Sequence, residues 1–290
     1  MDRLMKTLFS LMLGAWAALI AWAIRTLVLN ALNLDPYGLA LLDGGTVGLL
    51  AGAVIAGFEK YNNTARFGPT ALGVFVGLIT GLIGGVLGLL TAEFVFQNLR
   101  LSGDLQQILR VIGWGVFGLG VGIGPGIATG SLLKSLASSA GGCLGGIVGG
   151  GIFVLLLSFF SRYVMTSSAV GFTLLGLFVG LLIALAQEVA KQAELKVVSS
   201  GPNEGKRFPI DKRVVMIGSA SGNDWVISND PILAPRHIEI RQERGKFVVH
   251  SKVAQLPAQV NRQPVQQQSL KDGDRIRIGN TEIAFRARKT

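Results

Sequence analysis

The stretch Gly73-Val-Phe-Val-Gly77-Leu-Ile-Thr-Gly81 decides the fold of the first two thirds of this chain. Its glycines recur at every fourth position among apolar residues, so they share one face of a helix. In lipid no hydrophobic drive brings apolar helices together, and packing energy comes from faces of small residues that let two backbones approach closely. The stretch therefore predicts a membrane-spanning helix packed through its glycines.

The same four-residue spacing recurs further along the chain. It is found at Gly118, Gly122 and Gly126, and again at Gly141, Gly145 and Gly149. We interpret these faces as the contacts of a tight bundle within one chain. A homo-oligomer interface or the lining of a pore is the alternative.

Working outward from these stretches, the hydropathy pattern indicates about six spans. They cover approximately Thr7–Val28, Leu39–Phe58, Pro69–Phe94, Ile108–Ile127, Ala137–Phe160 and Ala169–Ala186. Each is near the ~20 residues that cross a bilayer at 1.5 Å per residue. Residues 1–190 are thus predicted to form a polytopic, α-helical transmembrane bundle in contact with the lipid bilayer.

Charge divides the chain into two regions that require different solvents. Of its 290 residues, 15% are charged, against about a quarter in soluble domains, and the mean hydropathy is +0.51. Met1–Ala193 holds 10 Lys/Arg and 7 Asp/Glu, whereas the shorter remainder holds 17 and 10. We therefore predict a second, soluble and basic domain over residues 191–290.

The distribution of basic residues between short loops predicts the orientation of the bundle. One side would hold Arg3, Lys6, Lys60, Arg66, Lys134 and Lys191, and the other Arg25, Arg100, Arg110 and Arg162. This bias predicts a multi-pass protein of the cell membrane with both termini cytoplasmic. Asp43, Glu59, Glu93 and Arg110 fall near span ends, where we expect them to reach headgroups. Pro125 predicts a kink or a break in the fourth span.

The soluble region has the pattern of a β-sandwich. Short strand-like segments begin at Leu195 and are separated by turn residues such as Lys271-Asp-Gly-Asp274. A single cysteine, Cys143, excludes an intrachain disulfide, and the two histidines do not form a metal cluster. The pattern predicts neither a metal site nor a catalytic site nor a cofactor.

This region resembles the forkhead-associated (FHA) domain, a β-sandwich that reads phosphothreonine. The similarity is carried in order by Ile217-Gly218, Gly222-Asn223-Asp224, Asp230-Pro-Ile-Leu-Ala-Pro-Arg236-His237, Val260-Asn261 and Leu270-Lys-Asp-Gly-Asp-Arg-Ile-Arg-Ile-Gly279. The resemblance implies that Gly218, Asn223, His237 and Asn261 shape loops. It also implies that His237 is a structural hydrogen-bonding residue rather than a catalytic one.

The phosphopeptide pocket that this resemblance implies is degenerate here. The family's phosphate-binding Arg is replaced by Ser219, its Ser by Ala234, and the Asn of its peptide-holding turn by Leu256. A guanidinium makes a bidentate phosphate contact that a hydroxyl cannot replace. Arg236 is among the cations that could substitute.

We therefore expect a non-enzymatic, membrane-anchored signalling adaptor. Its FHA-like module would dock a cytoplasmic protein, whether or not that partner is phosphorylated. The alternative is a channel or transporter built from the glycine-rich bundle and regulated or assembled by the β-domain. The basic excess suits anionic headgroups or an acidic partner. Nucleic acid is not expected, because exposed aromatic residues do not alternate with the cations.

Overall fold

A computed structural model describes residues 3–64, 67–98, 103–243 and 245–287 of the chain. They divide into two compact units, a helical one that ends at Ala190 and a β-rich one that begins at Lys191. Arg66 and Arg100, which contribute to the predicted orientation, lie outside these residues.

The first unit consists of six helices, each long and apolar enough to cross a membrane. They are α1 (Arg3–Ala31), α2 (Pro36–Thr64), α3 (Phe67–Asn98), α4 (Gly103–Thr129), α5 (Leu132–Phe159) and α6 (Val164–Ala190), with a single 3-10 turn at Ser161–Tyr163. The six predicted apolar helices are confirmed, and they extend beyond most of the predicted ends. A break at Pro125 is not found, because α4 stays helical to Thr129.

The helices form a closed ring in which each packs against its neighbours in the chain and α6 packs against α1. The contact between α2 and α3 is made by backbone against backbone. A methyl group on Gly81 would lie 2.0 Å from the carbonyl oxygen of Gly48, and Gly77 and Gly52 face each other in the same way. Only residues without a side chain allow two helices to lie this close.

The other predicted packing glycines also lie against neighbouring segments of the same chain. Gly73 lies against α2. Three glycines of α4 lie against α5, namely Gly118, Gly122 and Gly126. Three glycines of α5 lie against α6, namely Gly141, Gly145 and Gly149. These contacts occupy the glycine faces inside one chain. A pore lining or a homo-oligomer would have to use other surfaces of the helices.

The middle of the bundle is filled with apolar side chains. Phe117, Val121, Phe172 and Leu175 are almost completely buried there, together with residues of α1 and α2. Polar groups lie towards the two ends of the ring. The bundle therefore has an apolar centre between two polar layers.

One polar layer corrects an expectation from the sequence. Glu59 is only 3% exposed, so it does not reach headgroups. Its carboxylate lies 2.8 Å from Lys6 Nζ and 2.9 Å from Lys134 Nζ. The spacing of residues along α2 cannot reveal this, because the two partners come from α1 and α5.

The second unit is a sandwich of two sheets. Its strands are β1 (Ala193–Val197), β2 (Arg207–Ile210), β3 (Val214–Gly218), β4 (Trp225–Val226), β5 (Ile238–Glu243), β6 (Lys246–Ser251), β7 (Ala258–Val260), β8 (Gln263–Val265), β9 (Gln267–Ser269), β10 (Arg275–Ile278) and β11 (Thr281–Ala287). One sheet has the order β2-β1-β11-β10-β7-β8, and the other has β4-β3-β5-β6-β9. This architecture confirms the predicted β-sandwich.

The sandwich core is built from alternate residues of these strands, which point to the interior. Ile217, Ile238, Ile276 and Phe285 are fully buried between the sheets. Pairing of β3 with β5 and of β5 with β6 is antiparallel, whereas the short β4 runs parallel to β3. Because these strands belong to one sheet, the loops that follow β3, β4 and β6 all begin on that sheet.

Candidate interaction site on the β-domain

Three loops are joined to one another beside β3, β5 and β6. They cover residues 219–224, residues 227–237 and residues 252–257, and we call them the first, second and third loop. Ser219 N and Ala220 N of the first loop donate to the carbonyls of Ala234 and Pro235 in the second, each at 3.1 Å. Lys252 N of the third loop donates to the carbonyl of His237 at 2.9 Å. The loops thus form one continuous surface.

Gly218 allows the first two loops to lie together. A methyl group at this position would come within 2.3 Å of the Pro235 carbonyl oxygen. Asn223, which is buried, donates from Nδ2 to the same carbonyl at 2.5 Å. Both residues hold the second loop against the first.

His237 lies beneath the junction of the loops and is fully buried. Its Nδ1 accepts a hydrogen bond from the backbone N–H of Ala234 at 3.2 Å. Burial lowers the pKa of His237 below the ordinary 6.5, although the Leu256 carbonyl and the Asp230 carboxylate both act to raise it. The ring is therefore neutral at pH 7, and its contacts reach both the second and the third loop.

The three positions that the resemblance assigns to phosphate or peptide contacts, Ser219, Ala234 and Leu256, carry no cation. Ser219 donates from Oγ to the carbonyl of Leu233 at 3.1 Å, so its hydroxyl is directed back to the second loop. Ala234 offers only a methyl group. Leu256 in the third loop is an apolar side chain that is 38% exposed.

Arg236 is the exposed cation of the second loop. Across the residues that the structure describes, no carboxylate is paired with its guanidinium. Lys212, another candidate cation, is instead bonded to Asp224 at 2.7 Å. Arg236 is therefore the more available of the two.

Asn261 does not belong to this surface. It forms the turn between β7 and β8 together with Arg262, and both have positive φ, 52° and 72°. Two successive residues of the left-handed region reverse the chain here, so β7 and β8 form a hairpin. The Asn261 side chain bonds Asp274 at 2.8 Å and the N–H of Arg275 at 3.0 Å, which fixes the neighbouring turn.

Asp230 is a residue whose part in the site the sequence analysis missed. Its buried carboxylate accepts from Asn280 N at 2.9 Å and from Thr281 Oγ1 at 2.8 Å. These bonds tie the start of the second loop to the turn between β10 and β11. The partners lie some fifty positions away in the chain, so only the tertiary structure brings them together.

Comparison with known proteins places this domain in a family. Residues 197–289 match the model of the inner membrane component of T3SS, cytoplasmic domain. The glycogen accumulation regulator GarA of Mycolicibacterium smegmatis is 35% identical over 91 residues, which are 31% of this chain and 57% of GarA. The oxoglutarate dehydrogenase inhibitor of Corynebacterium efficiens is 33% identical over 102 residues, which are 35% of this chain and 71% of the inhibitor.

Solved FHA domains are also similar to this region. One is the FhaA FHA domain complexed with the intracellular domain of Rv3910, at 26% identity, covering 32% of this chain and 99% of that chain with a TM-score of 0.30. The chain spans a little over half the length of the GarA proteins that it matches. The match to the family model begins at residue 197, after the six-helix region. Through its C-terminal domain, the chain belongs to the forkhead-associated family.

Proposed function

We propose that this protein is a membrane-anchored adaptor whose FHA domain docks a protein partner without requiring a phosphate. The observation that carries the proposal is the chemistry of the three-loop surface. Ser219 and Ala234 occupy the positions of the family's phosphate ligands, and the hydroxyl of Ser219 is bonded to the Leu233 carbonyl. A dianionic phosphate would meet no paired donors there that match its charge.

The same surface offers a different kind of anchor. Ile232 in the second loop is 50% exposed and precedes Arg236 in the same loop, and Leu256 in the third loop is 38% exposed. Exposed apolar side chains beside an arginine are typical of the residues that carry binding energy in protein interfaces. We therefore propose a partner with an apolar contact and an acidic group.

Membrane anchoring is supported by two observations. Six helices have the length and hydropathy of membrane spans. The matching family model is described as the cytoplasmic domain of an inner membrane component. We propose a multi-pass protein of the cytoplasmic membrane with both termini in the cytoplasm.

A non-enzymatic role is supported by the relatives. The curated proteins that match the domain are named as a regulator and as an inhibitor. These names describe effects on other proteins or processes. We propose that this chain likewise acts by binding, on a partner of its own.

The test compares peptide libraries that carry threonine or phosphothreonine, with the full chain held in nanodiscs. We expect the phosphate to change wild-type affinity by less than about threefold, which is under 1 kcal/mol. The variant S219R/A234S restores the family's ligands and should gain a preference for phosphothreonine. A matched control, Arg262→Gln, changes a cation outside the three loops. Tight and strictly phosphate-dependent binding by the wild type would contradict the proposal.

The alternative of a channel or transporter has one observation in its favour. Charged residues are buried at one end of the bundle and partly buried at the other, and ionisable groups inside membrane proteins often mark ion paths. The fully buried Phe117, Val121 and Leu175 separate these ends, which supports an anchor instead. Flux of ions into liposomes that contain the protein would favour transport.

A further inference from the structure

A cavity of about 400 Å³ lies at the end of the bundle where α2 and α4 begin. Five helices contribute to its wall, from α1 to α5. Its volume falls within the range of about 300–1,000 Å³ that is usual for ligand pockets. The cavity is separate from the three-loop surface, and its role does not depend on the partner that the FHA domain binds.

Two of its four charged residues neutralise each other. Arg25 Nε donates to Asp43 Oδ1 at 2.6 Å, and both side chains are largely buried. This ion pair joins α1 to α2, and the two charges cancel. Arg25 and Asp43 therefore make this part of the wall polar but give it no net charge.

The other two charged residues, Arg110 and Glu93, have no charged partner. The guanidinium of Arg110 lies over the ring of Phe96, 4.7 Å from its centroid. Glu93 Oε1 accepts only from Gln97 Nε2, at 2.8 Å. Within the described parts of the chain no ion pair includes either group. The cavity thus presents one cation and one anion that are both available.

This balance favours a zwitterionic ligand. An anionic ligand would pair with Arg110 and repel Glu93, and a cationic ligand would do the reverse. A ligand with both charges satisfies the two residues at once, which offsets the cost of removing them from water. The remaining wall contains Leu89, Trp114 and Phe153, so the ligand also has an apolar part.

The depth of the charged residues points to a lipid. Glu93 lies about one and a half helical turns before the end of α3, and Arg110 about two turns after the start of α4. That level of a spanning helix corresponds to the boundary between headgroups and acyl chains. A primary ammonium can donate to a carboxylate, as the ammonium of lysine does, whereas a quaternary ammonium has no N–H.

We propose that this cavity binds a phospholipid whose headgroup carries a phosphate and a primary ammonium, as in phosphatidylethanolamine. Arg110 holds the phosphate and Glu93 holds the ammonium. Trp114 and Phe153 contact the apolar part of the lipid. The bound lipid would thus contact α3, α4 and α5 at once.

The test is retention of lipid by the intact protein. The full chain is placed in nanodiscs with equal amounts of phosphatidylethanolamine, phosphatidylcholine and phosphatidylglycerol, then extracted, and its bound lipid is identified by mass spectrometry. We expect phosphatidylethanolamine to be enriched about tenfold in the wild type. Arg110→Gln and Glu93→Gln should each remove most of this enrichment. Arg162→Gln is the matched control, because Arg162 is exposed at the same end and does not line the cavity.

Each other outcome overturns the proposal. Equal retention of the three lipids would show that the cavity does not distinguish between headgroups. Enrichment that survives both variants would show that Arg110 and Glu93 do not bind the headgroup. A second arm adds soluble phosphoethanolamine or glycine to the delipidated protein and measures its melting temperature. Stabilisation by these solutes without any lipid preference would assign the site to a free zwitterion. Should Arg110→Gln fail to fold, Arg110→Lys and Glu93→Gln still test the same pairing.

Discussion

The helical bundle and the β-sandwich of this chain are held together in opposite ways. In the bundle, Gly48 and Gly81 bring two backbones into contact and the small residue itself is the interface. In the sandwich, large side chains fill the space, with Phe208 stacked on Trp225 at 5.4 Å and Phe247 packed on Phe285 at 5.5 Å. Burial from water stabilises the sandwich, whereas close approach of backbones is what stabilises the contact between apolar helices in the proposed membrane region. The two regions should therefore fail in different ways when they are mutated.

The largest expected effect is the loss of a large side chain from the sandwich. Phe285→Ala should destabilise the β-domain by about 3–5 kcal/mol, because it leaves a cavity in a fully buried position. Hydrogen exchange on the full chain would show faster exchange in β10 and β11 and unchanged exchange in α2 and α3. The control Val214→Ala, at an exposed position of β3, should have little effect. An equal increase in hydrogen exchange in the helical and β-rich units would contradict the view that the two units are stabilised independently.

The bundle should fail most severely where it buries a charge. Glu59→Gln would leave Lys6 and Lys134 without their shared carboxylate, at a cost of about 3 kcal/mol. Thermal unfolding in detergent would show a lower melting temperature for the helical unit. Glu204→Gln, an exposed carboxylate of the β-domain, should leave it unchanged. A melting temperature equal to that of the wild type would mean that water already solvates the two lysines.

A smaller effect is expected from one added methyl group. Gly81→Ala should destabilise the bundle by about 1–3 kcal/mol, because the methyl would overlap the Gly48 carbonyl. Gly151→Ala in α5 is the matched control, since nothing lies within 4 Å of its added methyl. It should be neutral or stabilising by up to about 1 kcal/mol, as alanine favours helix. Melting of both variants in the same detergent measures the contrast, and equal shifts would refute the role of close approach.

The smallest effect concerns pH and the three-loop surface. Because the pKa of His237 is lower in the folded domain than the ordinary 6.5, the unfolded chain takes up a proton first as the pH falls. The domain should lose stability as the pH falls from 7 towards the folded pKa of the ring, and keep full stability above pH 7. Carboxylates of the domain titrate as well. The measurement is therefore the difference in unfolding free energy between wild type and His237→Gln at each pH. Identical pH profiles would exclude His237 as a source of the dependence.

The sequence predicts what depends on local periodicity. Six spans and a sandwich follow from apolar runs and from turn residues, and both are found. The positive φ of Arg262 in the turn between β7 and β8 has no local signal in the sequence, because Arg is an uncommon residue at positive φ. The short β9 was also not predicted, since Gln267–Ser269 lacks the apolar alternation of a strand.

The sequence predicts less of what depends on distant partners. Ser219, Ala234 and Leu256 can be identified from the resemblance, yet the bond from Ser219 to Leu233 requires the fold. The burial of Glu59 and the long-range bonds of Asp230 are of the same kind. Pairing of charges across helices leaves no periodic pattern in any one segment. Such contacts become visible only when the elements are assembled.

The closed order of the helices has a consequence for biosynthesis. α1 packs against α6 through Gly14 and Gly176, so the first helix made has its second neighbour only when the last one arrives. During synthesis from the N-terminus, five helices would precede α6 and leave the ring open between α1 and α5. The FHA domain emerges from the ribosome directly after the helix that closes this seam. A chain stalled before α6 would leave uncovered the face of α1 that carries Ser10, Gly14 and Ala18, which α6 covers in the finished bundle.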